Sequence, residues 1–152
     1  MNKYLAMLLS LIMPSTPVQP PTVFELQNLR VNAEINDVKI NKLQEHSLVL
    51  LNQEATTTIF EDENFYIQAR LSGKDKVKVT SSFKIDKSTL HLLDEKEFTA
   101  PWNEVSTIMI HSSGKVHYHQ KCDMPAVVDF NADITFDLIN RCDLQAADLT
   151  PK

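Results

Sequence analysis

The stretch Cys122–Cys142 constrains this chain more than any other. Its even positions carry Cys122, Ala126, Val128, Phe130, Ala132, Ile134, Phe136, Leu138 and Cys142, with mostly polar residues between them. Alternation with period 2 marks a strand with one buried face. A single strand over Ala126–Leu138 would be about 40 Å long, whereas a disulfide needs its two Cα atoms within about 7 Å. If the cysteines pair, the chain must turn back. A loop at Asn131-Ala132-Asp133 would do so and keep the faces matched, because Asn and Asp tolerate left-handed conformations. The expectation is a hairpin stapled by Cys122 and Cys142, with Phe130 opposite Ile134 and Val128 opposite Phe136. The cross-link would contribute about 3 kcal/mol in the chain-entropy account.

The same face-matching logic applies to Val105–Cys122. A three-residue loop Ser112-Ser113-Gly114 sets Ile110 against Val116 and Ile108 against Tyr118, apolar with apolar. Met109, His111, His117 and His119 then share the opposite face. Imidazoles with a thioether suit copper, and imidazoles with a carboxylate such as Glu104 suit zinc. This is the candidate metal site; otherwise the histidines form a solvated polar face and no cofactor is expected. Asp129, Asn131 and Asp133 have the spacing that opens a calcium loop, but Ile134 and Asn140 stand where glycine and glutamate are needed.

Earlier in the chain, Phe24–Leu26 alternates in one phase and Leu29–Ile35 in the other, which a bulge near Asn28 would reconcile. Asn36-Asp37 marks a turn before a short strand at Val38–Leu43. Ser47–Leu51 and Ala55–Phe60 read as strands, and Phe65–Leu71 with Val77–Ile85 as a hairpin. Lys87–Leu93 is open between strand and helical turn, and Asp94–Asn103 reads as a loop. Trp102, after Pro101, suits either the core or an interface anchor. The Lys76, Lys78 and Lys84 stripe reads as a solvated face that discourages edge pairing.

Only two glycines occur, Gly73 and Gly114, so no phosphate loop, dinucleotide fingerprint or nucleophile elbow can be written. A formal charge of −5 argues against a nucleic-acid partner. Lys3 followed by the apolar run Tyr4–Met13 and the proline-rich Pro14–Pro21 fits a secretory signal and linker, and the run is too short to span a membrane. Two cysteines are compatible with an oxidising compartment.

Leu48–Ile59 resembles the apolar–Asn-Gln–Ala–Thr pattern in strands of bacterial secretins and other envelope β-domains, without the glycine common there. These readings converge on an all-β chain: a signal-like segment and linker over 1–21, then one antiparallel β-sandwich or flattened barrel over 22–152, with about seven to ten short strands. The function expected is that of a non-catalytic exported domain, periplasmic or extracellular, acting as a binding, inhibitory or envelope-assembly component with a protein partner. The alternative is a periplasmic copper- or zinc-binding protein.

Overall fold

The computed structural model describes residues 20–86, 89–119 and 125–144. Within them the chain forms nine strands: β1 (Thr22–Ile35), β2 (Val38–Gln44), β3 (Ser47–Leu51), β4 (Thr57–Glu61), β5 (Phe65–Gly73), β6 (Lys76–Lys84), β7 (Leu90–Thr99), β8 (Val105–His119) and β9 (Pro125–Asn140). They build two antiparallel sheets, one ordered β2-β1-β9-β8 with β3 also on β1, the other β4-β5-β6-β7. The sheets face each other as a β-sandwich. Phe24, Leu26, Leu29, Val31, Ile134, Phe136 and Leu138 from the first pack against Phe65, Ile67, Leu71, Val77 and Val79 from the second. Phe130 stacks on Phe83 across the layers, ring centroids 6.0 Å apart.

β1 changes phase where the alternation does. Gln27 pairs with Asp137 and Arg30 with Thr135, so Asn28 and Leu29 together face Phe136. Asn28 takes φ 56°, a conformation Asn tolerates better than most residues, and its Nδ2 donates to Asp137 Oδ2 at 3.0 Å. The extra residue lets one strand bury even positions before Asn28 and odd positions after it. Asn36 and Asp37 both have positive φ, as a tight two-residue hairpin turn requires, and they join Ile35 to Val38. The hairpin of β5 and β6 forms with Leu71 opposite Val77 and Phe65 opposite Phe83.

Four sequence expectations change. First, Asp94–Asn103 is not all loop, because β7 continues to Thr99. Its charged residues are held by β6: Glu97 pairs in register with Lys78, whose Nζ also lies 2.6 Å from Glu95 Oε1. Second, neither tight hairpin forms within Val105–Asn140. β8 and β9 are each one long strand, and they pair with one another from Val105↔Ile139 to His119↔Pro125. Neither contains a residue with positive φ, including Gly114. Ile110 thus meets Ile134 rather than Val116, and Ile108 meets Phe136. Third, strands of 15 and 16 residues are not short ones.

Fourth, the expected staple finds no support among the described residues. Cys122 lies outside the described residues, and Cys142 is an exposed free thiol. Pro125, three residues beyond Cys122, begins β9, and Cys142 follows its far end. That strand runs unbroken for about 50 Å from Pro125 to Asn140, without the turn at Asn131–Asp133 that a staple across its two ends requires. The expected result is two alkylatable thiols in the non-reduced monomer and an unchanged unfolding midpoint on adding reductant, read by intact mass and thermal denaturation.

The open end of β1 and β9 is closed by Arg141. Its backbone N–H donates to Val23 O at 2.9 Å, and its Nη1 lies 3.3 Å from Glu25 Oε2. His46 Nε2 sits 2.5 Å from the other oxygen of Glu25. Partial burial of the carboxylate opposes ionisation, but His46 and Arg141 outweigh it and hold Glu25 below the usual carboxylate range. A depressed carboxylate contributes stability that is present above its unfolded pKa and lost as pH falls through the folded one. Glu25→Gln should therefore lower the urea midpoint at pH 7, with the gap to wild type closing below about pH 4.

Candidate functional site

Sheet edges are where a sandwich can engage another chain, because their main-chain groups lack ladder partners. β3 is tied to the other sheet at its end: Thr57 Oγ1 of β4 donates to Leu50 O at 2.9 Å, and Leu71 N–H of β5 donates to Asn52 O at 2.9 Å. β2 carries Lys39 and Lys42, and β7 carries Asp94, Glu95, Lys96 and Glu97. Both are edges of the kind that repel an added strand. β8 differs. From Val105 to Gly114 it has no charged residue and no proline, and Val105, Thr107, Ile108 and Ile110 are β-branched.

The orientation of that edge follows from two bonds. Asp129 O accepts from Asn36 N–H, so odd residues of β9 turn their main-chain groups toward β1 and even ones toward β8. The Lys96 ammonium, reaching across from β7, donates to Met109 O. In an antiparallel strand the N–H and C=O of one residue point the same way, alternating along the chain. Thr107, Met109, His111 and Ser113 therefore aim their main chains away from β9, while Ile108 and Ile110 complete the ladder with Phe136 and Ile134. Apolar side chains accompany the edge: Met109 is 64% exposed, Val105 60% and Trp102 55%. Trp102 is thus not a core residue. It bridges to Asn140, whose Nδ2 donates to Ala100 O at 2.8 Å, fixing the connection into β8.

Beside the edge runs a groove of about 480 Å³, lined by Glu95–Thr99 of β7 and Ser106–Met109 of β8. No ladder joins these two strands among the described residues. Lys96 has a second acceptor near, since Asp94 Oδ2 lies 3.9 Å from its Nζ. Its lining is mixed: Phe98, packed on the core, and the buried Ile108 lie among charged and hydroxyl side chains.

Met109, His111, His117 and His119 do share one face, on odd positions of β8, but they are strung along one strand instead of facing each other across a hairpin. Met109 and His117 are about 26 Å apart at strand rise, so the four do not converge on one ion. His117 and His119 alone keep side-by-side spacing. His111 is taken up by Asp133, with Nδ1 2.5 Å from Oδ1. No group of three or more His, Cys, Asp or Glu suited to a metal occurs among the described residues. Asp129 and Asp133 likewise lie along a straight strand, which cannot wrap an ion. Asp137 accepts from Thr107 Oγ1 at 2.7 Å.

The β8 edge itself is what sequence reading missed. Its signal was present in the uncharged run Val105–Gly114, but a tight turn placed at Ser112–Gly114 hid the length. Fold and site define a class: an antiparallel β-sandwich with one long strand edge that carries no Lys, Arg, Asp or Glu from Val105 to Gly114. Comparison with protein families, curated proteins and solved structures finds no match. No described helix is long and apolar enough to cross a membrane.

Proposed function

We propose that this chain is a non-catalytic binding or assembly domain, exported from the cytoplasm, that engages a partner by strand addition along β8. The observation that carries the reading is the run of outward-facing main-chain groups at Thr107, Met109, His111 and Ser113 on an uncharged edge. Such an edge gives affinity through main-chain hydrogen bonds, and the neighbouring groove gives selectivity through alternate side chains. The signal-like Tyr4–Met13 segment supports export, and the missing glycine motifs support a role without phosphate or nucleotide chemistry.

A photo-crosslinking residue placed at Met109 tests it, with one at Val38 on the lysine-bearing β2 edge as control. Adducts at Met109 and few at Val38 are expected in cells expressing the chain. Equal labelling at both edges, no adduct at Met109, or substrate turnover by the isolated domain would refute the reading.

A further inference from the structure

We infer that the strand added to β8 is β8 of a second copy, giving a two-fold symmetric dimer whose two five-stranded sheets join into one. The inference rests on the strand-addition reading and names its partner. Antiparallel pairing about a two-fold axis sets each residue opposite the one equally far on the other side of the axis, so an edge whose charges are all of one sign repels itself. This excludes β2, where Lys39 and Lys42 would meet their counterparts. Self-pairing of β7 would crowd Asp94, Glu95 and Glu97 around the axis with Lys96 as their only cation.

β8 meets the symmetry requirement. An axis at Met109 pairs Thr107 with the second copy's His111 and Val105 with its Ser113, and every paired position is uncharged. Moving the axis to Ile110 brings Lys115 opposite Val105, and moving it toward Val105 shortens the paired run, so Met109 is the centre that gives the longest seam free of Lys, Arg, Asp and Glu. All residues with outward main-chain groups are odd, and an axis on an odd residue matches odd with odd, as hydrogen-bonded pairs require. About ten main-chain hydrogen bonds would form over the five odd positions from Val105 to Ser113 of each copy. The exposed Met109 and Val105 side chains come under cover on the outer face.

Lys96 is the guard. Its ammonium occupies the Met109 carbonyl at the centre of the proposed seam, and pairing requires it to swing to Asp94. Removing it should therefore tighten association, the reverse of what loss of an ordinary surface cation does.

The test is sedimentation of the full chain over a concentration series, with Thr107→Pro, Met109→Lys and Lys96→Ala variants. Proline at position 107 removes an outward N–H and leaves the β9 ladder intact. Wild type should dimerise, Thr107→Pro and Met109→Lys should weaken the dimer about tenfold or more, and Lys96→Ala should strengthen it several-fold. In a Cys122→Ser/Cys142→Ser background, Met109→Cys should cross-link to itself with a short bismaleimide, and Val38→Cys should not. Circular dichroism confirms that each variant is folded. A wild-type chain that remains monomeric at about 100 µM, well above micromolar affinities, overturns self-pairing. So does a dimer untouched by Thr107→Pro, or one cross-linked through Val38→Cys. The strand-addition reading is judged separately, by the photo-crosslinking at Met109 and Val38, and survives a monomeric chain that still forms Met109 adducts with another protein.

Discussion

Ile110→Pro should unfold the domain, and His111→Pro, one residue away, should leave it standing. Ile110 is buried and its N–H belongs to the ladder with β9 opposite Ile134. Proline there removes the hydrogen bond, forces its ring against the neighbouring strand and leaves a core void. Together these cost about 4 kcal/mol or more, a large share of the 5–15 kcal/mol that holds a domain of this size. His111 aims its N–H outward, and its side chain is exposed beside Asp133. An exposed pair of this kind contributes about 0–1 kcal/mol, so the substitution should move the urea midpoint little. Equal destabilisation by the two prolines would show that the orientation of the edge has been assigned backwards.

Phe136→Ala should cost about 3–5 kcal/mol, the range for truncating a buried aromatic residue. Phe136 is 1% exposed, pairs with Ile108 and lies opposite the two bulged residues Asn28 and Leu29. The bulge is tied by Asn28 to Asp137, so β1 cannot easily settle into the void. Val127→Ala on the same strand should stay within about 0.5 kcal/mol, because its side chain is 46% exposed and fills no cavity. Denaturant unfolding with an unchanged slope checks both.

Much of the fold is legible in residue order because its signals are local. The phase switch in β1, the Asn36-Asp37 turn and the hairpin of β5 and β6 each depend on a few neighbours whose sterics or polarity admit one answer. The last third is harder for a physical reason. Alternation reports which face a residue uses and says nothing about whether the strand continues or folds back, since a three-residue loop preserves parity. Assuming that Cys122 and Cys142 pair forces a turn that no positive φ residue accommodates. The polar run of β7 fails as a strand signal because its charges are matched by lysines on a different strand. The candidate site shares this fate: the histidine face is correctly placed on odd positions, but its convergence depended on the absent turn.

Where β1 begins and β9 ends has a mechanical consequence. β1 enters and β9 leaves at the same end of the sandwich, as antiparallel neighbours with Phe24 beside Asn140. A load applied between the two ends of the described domain pulls across the strands, not along them. It opens the β1–β9 seam like a zipper, one rung at a time, where shear would oppose it with the whole row. Arg141 sits at the fork, bonded to Val23 and to Glu25, so it is the first tooth to part and sets the force at which opening begins.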